Sequence, residues 1–337
     1  MDQEKFDYYK AKFENISCNL CGRNDFFVLA EKSVSGLPVR TCLCKNCGMI
    51  YINPRLTKEE YDNYYKYFYR KDRAEIKKHE IRSDALERNF ENARKFGRSL
   101  GEILSQKAAI KGDVLDVGSS TGGILRGLKD VLPEIDVFGI EPSIEESDFA
   151  NQKGVKTETT LFENFNAEKS RRFAAIFCIQ SLNHLLDPKK FFDWCFENLE
   201  PEGCLVLAVK NFRGQCRRAG SVWRAAQVDH PFMFVPETLK LFTESAGFEI
   251  IYFDVDEWKS AKELRLQKEK GISCHHIRLI ARKKKEKESV LNVTGGKNCR
   301  SSRFWLSPLA LKIFYYPLYA NKTKFLKKIY GRIKNGF

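Results

Sequence analysis

Short apolar and β-branched runs alternate with stretches of helical periodicity from Gly112 onwards. Helices are predicted at TGGILRGLKDVL, PKKFFDWCFENL and PETLKLFTESAG, the last stopping at Gly247 in the C′ position. The runs between them predict buried strands at DVLDVG, DVFGIE, AAIFCIQ, CLVLAVK, FEIIYFDV and CHHIRLIA. Strands that alternate with helices form parallel sheets covered on both faces. The pattern therefore predicts an α/β, doubly wound, Rossmann-like domain over residues 111–282.

The chain before this domain differs from it in composition and periodicity. Residues 58–110 turn polar, first with the tyrosine cluster YDNYYKYFY and then with a stretch of helical periodicity. Apolar residues recur there at helical spacing, at Ala85, Phe90, Ala93, Phe96 and Leu100. We predict a helical linker with one packed face, between an N-terminal module at 1–57 and the α/β domain.

The C-terminal region, 283–337, carries nearly all of the net charge. The chain has 337 residues and a formal charge of +14. From Arg282 to the end, 15 Lys and Arg oppose only Glu286 and Glu288, so the other 281 residues carry +1. The stretch KKKEKESVLNVTGGKNCRSSR predicts a mobile linker, and KTKFLKKIYGRIK predicts a basic amphipathic helix. That helix either docks on an anionic membrane surface or packs on the body or another subunit.

The two ends of the chain and its apolar runs bear on location. No apolar run approaches the ~18 residues of a membrane span. The charged N-terminus has no apolar core of a signal peptide. We expect a cytoplasmic protein, with peripheral contact at the inner membrane surface if the basic helix docks there.

Four cysteines show the spacing of a metal site. Cys18 and Cys21 form one C-x2-C pair, and Cys44 and Cys47 form a second after 22 residues. Two such pairs supply four thiolates to one tetrahedral Zn²⁺, and a glycine after each pair permits the tight turn beneath the metal. With all four positions filled by sulfur, the predicted zinc is structural. Cys42 is out of register and is left out of the ligand set.

The segment VLDVGSSTGGIL places an acid and two glycines at the first strand-to-helix turn. Asp116 ends the strand, and Gly118 and Gly122 follow in a D-x-G-x-x-x-G pattern. A dinucleotide fingerprint would read G-x-G-x-x-G, so no pyrophosphate cradle is indicated. Glu141 in FGIEPS ends the second strand, where a carboxylate can accept hydrogen bonds from both hydroxyls of a ribose.

These residues resemble the class I S-adenosylmethionine-dependent methyltransferases, over 111–282. The resemblance implies a seven-stranded, mostly parallel sheet and S-adenosylmethionine as cofactor. It also implies that the methionine end is lined by Asp116, Gly118, Ser119, Ser120 and Gly122. Glu141, with Pro142 beside it, would hold the ribose, Phe162 or its neighbours would flank adenine, and Gln180 and Ser181 would close the pocket.

A narrower resemblance, to the zinc-headed sugar C-methyltransferases and their relatives, is carried by the cysteine pairs, GMIYINPRLTKEEYDNYY and DHPFMFVPETL. Those enzymes have a Glu-His pair where this chain has Asp229-His230. They also carry a large C-terminal domain, whereas this chain ends in a linker and a short basic helix. The resemblance implies methyl transfer to a small, anionic, sugar-like acceptor such as a nucleotide-sugar or lipid-linked sugar, in glycan biosynthesis.

Methyl transfer needs a base that removes a proton from the acceptor. His230, with Asp229 orienting its ring, is the first candidate, and His184 is the competitor, whose other interpretation is a structural residue at a strand end. Arginines in NFRGQCRRAGSVWRAAQVDH suit an anionic acceptor, or else belong to a solvated lid; we predict substrate contacts from Arg217, Arg218 and Arg224.

Two rival hypotheses stay open. An enzyme acting on RNA or protein is one, although a body charge of +1 argues against a nucleic-acid channel, so no nucleic-acid partner is expected. A non-catalytic cofactor-binding scaffold is the other.

Overall fold

The computed structural model describes residues 6–69, 84–167, 171–272, 274–284, 296–307 and 309–310, and the predicted basic helix at 322–334 lies outside them. The strands are β1 (Phe13–Glu14), β2 (Phe26–Ala30), β3 (Thr41–Cys44), β4 (Ile50–Ile52), β5 (Arg55–Leu56), β6 (Gly112–Val117), β7 (Ile135–Ile140), β8 (Thr157–Glu158), β9 (Phe173–Ile179), β10 (Leu199–Lys210), β11 (Phe232–Met233), β12 (Phe248–Val255) and β13 (His276–Lys283). The helices are α1 (Lys58–Tyr67), α2 (Ala85–Lys107), α3 (Gly123–Val131), α4 (Ile144–Gln152), α5 (Pro188–Asn198), α6 (Phe212–Ala219), α7 (Pro236–Ser245), α8 (Ala261–Glu269) and α9 (Gly296–Trp305).

Seven strands form the main sheet in the order β12-β13-β10-β9-β6-β7-β8. The pairs β7-β8, β6-β7, β6-β9 and β9-β10 are parallel, and β13 is antiparallel to both neighbours. The predicted doubly wound, mostly parallel, seven-stranded sheet is confirmed, as are all six predicted strands. Only β8 was not singled out, because a strand of two residues shows no periodicity.

One face of the main sheet is covered by α2 and α3. The helix α2 buries Phe90, Phe96 and Leu100, as its periodicity predicted. The two helices lie so close that a methyl group at Gly127 would overlap the Arg94 carbonyl, and one at Gly123 the Phe90 carbonyl. This packing fixes the start of α3, and with it the loop that follows β6.

A second, four-stranded sheet has the order β11-β4-β3-β2 and is antiparallel throughout. Its strand β11 comes from the DHPFMF segment of the α/β domain, where Phe232 pairs with Tyr51. The cysteine cluster shares a hydrophobic core with the main sheet, in which Cys44 and Met49 lie with Leu207. The N-terminal module is therefore built into the α/β domain rather than tethered to it.

The segment 296–303 was predicted as part of a mobile linker, and that prediction is wrong. These residues lie in α9, which packs on the second sheet and buries Cys299, Ser302 and Trp305. The buried positions recur every three residues, which is a helical spacing. The sequence pattern did not indicate it, because Ser302 is small and polar.

Among the described residues, no helix has the length and apolar character of a membrane span.

Candidate active site and cysteine cluster

The four predicted metal ligands converge. The Sγ atoms of Cys18 and Cys47 are 3.4 Å apart, those of Cys21 and Cys44 are 3.5 Å apart, and all four lie within 4.8 Å of one another. Each C-x2-C pair closes in the same way, with Gly22 N donating to the Cys18 carbonyl and Gly48 N to the Cys44 carbonyl. Both glycines have left-handed φ, 72° and 79°. Four sulfurs at this separation fit the corners of a tetrahedral metal site.

The loop after β6 brings the backbone into the position expected of a cofactor loop. Gly118 N and Ser119 N both donate to the Ile140 carbonyl of the neighbouring strand. Gly118 has a φ of 76°, and a Cβ there would collide with the Ser181 side chain. The glycine is thus needed for the close approach of the loop after β9.

Glu141 holds this loop from the end of β7. Its Oε2 accepts a hydrogen bond from Ser120 N and its Oε1 one from Ser143 N, both at 2.9 Å. Burial first, and the charge of Glu146 second, raise the pKa of Glu141 to about 8. Each oxygen of the carboxyl group keeps a second lone pair in either protonation state, so the group can still accept from a ligand hydroxyl.

Asp116 and Ser119 offer polar atoms without hydrogen-bond partners in the described structure. Asp116 is buried at the end of β6, and its Oδ1, like the Ser119 Oγ, has no partner. Burial raises the pKa of Asp116 to about 7. Buried polar atoms of this kind are the places where a bound ligand completes the hydrogen bonding.

Asp116→Asn is expected to stabilise the ligand-free protein at alkaline pH. A carboxyl whose folded pKa is raised contributes stability at acidic pH and loses it as pH rises through the folded value, here about 7. The variant removes this loss, so its unfolding free energy at about pH 8 should exceed wild type by a few kcal/mol, and at about pH 4 by little. Urea unfolding at both pH values measures it; equal differences at both would contradict the assignment.

Of the other predicted cofactor residues, Ser181 contacts the same loop directly. Ser181 Oγ donates to the Gly118 carbonyl at 3.2 Å, and Gln180 has a left-handed φ of 64° at the end of β9. Pro142 follows Glu141 directly. Phe162 lies in a short turn, edge-on to Phe191 and Trp194.

The three predicted catalytic residues meet at one point. The His184 and His230 rings lie 4.8 Å apart, and Asp229 Oδ2 is 3.9 Å from both His184 Nδ1 and His230 Nε2. Asp229 and His230 are 2% and 1% exposed. At 3.9 Å the Asp229 carboxylate forms no hydrogen bond with the His230 ring, so the predicted orientation of His230 by this carboxylate is not seen as a direct bond.

His184 is oriented through the backbone of Asp229. Its Nδ1 lies 2.8 Å from the Asp229 carbonyl and 2.9 Å from the Tyr65 hydroxyl, which itself donates to that carbonyl. A carbonyl oxygen only accepts, so His184 carries its proton on Nδ1 and its lone pair on Nε2. Burial raises the pKa of Tyr65 well above its usual value, which keeps the phenol neutral and a donor.

His230 has a different neighbour, Lys210 at the end of β10. The Lys210 Nζ lies 3.5 Å from His230 Nε2. Neither Lys210 nor Tyr65 was predicted as a site residue. Tyr65 belongs to the tyrosine cluster noted in the linker, but no local pattern shows that its hydroxyl returns to a loop 164 residues away.

The three predicted substrate arginines do not share one environment. Arg217 is 4% exposed, pairs with Glu257 at 2.6 Å and lies over the Trp305 ring. Arg218 is half-buried on the same helix, and Arg224 is exposed and stacks on Trp223. The helix α6 that carries the first two is anchored by the pairing of Arg213 with Glu257, so a solvated lid is wrong for this part of the segment.

Arg217→Met should destabilise the fold by about 2–3 kcal/mol, because Glu257 loses one of its two buried arginine partners. Arg224→Met, on an exposed side chain, is the matched control and should change the unfolding free energy by less than about 0.5 kcal/mol. Denaturant unfolding of both variants measures this. Equal, small effects would mean that Arg217 is not structural and would return it to the acceptor site.

Comparison with known proteins bears on the family. Solved structures similar to the chain include the plantazolicin methyltransferase BpumL in complex with SAH, at 15% identity over 60% of this chain and 86% of that one, with a TM-score of 0.43. An S-adenosylmethionine-dependent methyltransferase from Clostridium acetobutylicum ATCC 824 aligns at 15% identity over 59% and 95% of the two chains, with a TM-score of 0.45. No curated protein sequence matches the chain.

The family is shown by sequence. The model of the family described as "Methyltransferase domain" matches residues 71–252, more than half of the chain. This span runs from the linker into β12 and includes the loop after β6, Glu141 and the His184–Asp229–His230 cluster. The protein is therefore an enzyme of the methyltransferase-domain family.

Proposed function

We propose that the protein transfers the methyl group of S-adenosylmethionine to a small, sugar-like acceptor. The observation that carries this proposal is the position of Ser181. Its Oγ contacts the Gly118 carbonyl of the cofactor loop, and its own carbonyl accepts from His184 N at 2.9 Å. Ser181 thus connects the backbone of a candidate base to the candidate cofactor loop. Methyl transfer needs the base and the activated methyl group on either side of an acceptor that loses a proton.

For the cofactor, the proposed residues are those around the loop after β6. Asp116 and Ser119 supply the unpartnered polar atoms, and Glu141 accepts from the ribose hydroxyls while it holds Ser120 in place. Pro142, Phe162 and Gln180 line the rest. When bound, S-adenosylmethionine supplies an activated methyl group on sulfur.

For the base, the tautomer argument favours His184 over His230. Its Nε2 carries the lone pair, and the Asp229 carbonyl together with Tyr65 stabilises the proton on Nδ1. His230, whose Nε2 lies near Lys210, packs beside the His184 ring and is proposed to position it. This reverses the order of the two histidines expected from the sequence.

The sugar-like acceptor is supported by the resemblance of the cysteine module and DHPFMFVPETL to the sugar C-methyltransferases. The structure adds that these two segments pair directly, through β4 and β11. Arg218 and Arg224 are the proposed contacts for an anionic part of the acceptor, and Arg217 holds α6 through Glu257.

For the cysteine cluster, we propose a structural Zn²⁺ bound by Cys18, Cys21, Cys44 and Cys47. The separations of the four sulfurs fit a tetrahedral site in which no ligand position is open. The metal would join the turn before β2 to the turn after β3 and thereby support the sheet to which β11 adds.

The acceptor class can be tested with methyl-labelled S-adenosylmethionine and three acceptor pools: nucleotide-sugars, total RNA and a protein extract. Label should enter the nucleotide-sugar pool and depend on His184. Label in RNA or protein alone would contradict the sugar-like acceptor while leaving methyl transfer intact, and no label in any pool from a cofactor-binding protein would favour a scaffold.

A further inference from the structure

His276 is a buried histidine that the proposed mechanism does not use. It is 7% exposed, and neither ring nitrogen makes a hydrogen bond of good geometry in the described part of the chain, although the Cys274 backbone lies near enough to favour a proton on the ring. It begins β13 directly opposite Lys210 of β10. Directly opposite residues of antiparallel strands project from the same face of the sheet, so the imidazole and the ammonium share one face.

The corner that carries His276 is held firmly. Asp256 Oδ2 accepts a hydrogen bond from His275 N at 2.7 Å, and Arg278 forms an ion pair with Asp256. The carbonyl of His275 accepts from Asn211 N. His275 has a φ of 71°, a left-handed conformation that a residue with a side chain adopts at a cost. Strain of this kind persists where surrounding contacts enforce it, and it is concentrated at binding sites.

The corner adjoins the proposed acceptor site. Lys210, opposite His276, places its Nζ 3.5 Å from His230 Nε2. The carboxyl end of β10 and the start of β13 therefore lie at the same edge of the sheet as the His184–Asp229–His230 cluster. An acceptor held near His184 would have this edge within reach.

The state of the imidazole determines which groups it can bind. Burial, then the charges of Arg278 and Lys210, lower the pKa of His276 to about 4, so the ring is neutral at pH 7. A neutral imidazole offers one donor and one acceptor. The positive charge of Lys210 favours the tautomer whose lone pair faces the ammonium. An atom bound between them must accept from Lys210 and donate to His276, which a hydroxyl does and a carboxylate does not.

We propose that His276 and Lys210 form a subsite that binds a hydroxyl group of the acceptor. The inference rests on the proposed function and deepens it, because it assigns polyhydroxylated molecules as the acceptor class. In the bound state the hydroxyl oxygen accepts a hydrogen bond from Lys210 Nζ. The O–H group donates a hydrogen bond to the unprotonated ring nitrogen of His276.

The chain has five histidines, few enough for the His276 signal to be followed by NMR of ¹³C-labelled imidazoles. The full chain is titrated with myo-inositol as a polyol probe and with sodium acetate as an anionic one, each to about 0.1 M, the range expected for one or two hydrogen bonds. We expect a saturable inositol shift of the His276 signal and no matching acetate shift. Lys210→Met should weaken inositol binding about tenfold, and Lys156→Met, on the opposite edge of the sheet, should not.

Each outcome decides the subsite separately from the proposed function, because S-adenosylmethionine binding is measured on the same samples by calorimetry. An acetate shift without an inositol shift, or no His276 shift with either probe, overturns the hydroxyl subsite even if the cofactor binds. An inositol shift in a protein that does not bind the cofactor keeps the subsite and rejects the methyltransferase proposal. His276→Phe is also titrated with inositol, and its affinity is read from the His230 signal. If this variant does not fold, His276→Gln replaces it. Unchanged inositol affinity in the variant that folds also overturns the subsite.

Discussion

Cys44→Ser is expected to lower the midpoint of thermal unfolding by about 10 °C or more and to abolish stoichiometric zinc. Cys44 is fully buried, and its Sγ lies 3.5 Å from that of Cys21. Loss of a zinc ligand removes metal-binding free energy that stabilises only the folded chain. Because the cysteine cluster shares a core with the main sheet, the destabilisation should reach the whole α/β domain.

Cys42→Ser is the matched control for this substitution. Cys42 is equally buried in the same strand but lies outside the ligand set. We expect it to cost about 1–2 kcal/mol and to keep one zinc per chain. Metal analysis by mass spectrometry together with thermal unfolding compares the two; full zinc content in Cys44→Ser would reject the four-cysteine site.

The second large effect is expected for His184→Ala, which should lower kcat for methyl transfer by about 10²–10⁴ while changing cofactor affinity less than about twofold. The Nε2 lone pair that we assign to proton removal is lost, whereas the link to the cofactor loop through His184 N and the Ser181 carbonyl is made by the backbone and is kept. Tyr65→Phe, which keeps the ring but removes the hydroxyl donor to the Asp229 carbonyl, should give a smaller loss, about tenfold.

His230→Ala separates the two histidines. If His184 is the base, the His230 variant retains measurable turnover with an altered KM, since its ring contacts Lys210 and packs on His184. Turnover that survives in His184→Ala but vanishes in His230→Ala would restore the assignment made from the sequence. Single-turnover rates at saturating cofactor provide the comparison.

Features carried by local spacing were accessible from the sequence. Each C-x2-C pair and the turn after β6 depend on residues a few positions apart, and Glu141 follows the next strand along the chain. Backbone geometry requires those residue types at those positions, so their spacing is sufficient to find them.

Features made by long-range pairing were not accessible in the same way. Tyr65 meets Asp229 across 164 residues, and β11 joins β4 across the linker and the first part of the α/β domain, up to β10. Arg217 shows the same limit, because its buried partner Glu257 lies 40 positions further along the chain, and an arginine in a polar stretch looks solvated until that partner is known. His276 has no local pattern at all, since only strand pairing sets it opposite Lys210.

Calorimetric titration of the zinc-loaded protein with S-adenosylmethionine tests the central claim most directly, with Glu141→Ala and the exposed neighbour-strand control Glu158→Ala beside it. We expect micromolar binding by the wild type and by Glu158→Ala, and a loss of at least about thirtyfold in Glu141→Ala, whose carboxylate both binds the ribose and holds Ser120. Absence of binding by the folded wild-type protein, or equal binding by Glu141→Ala, would contradict the account.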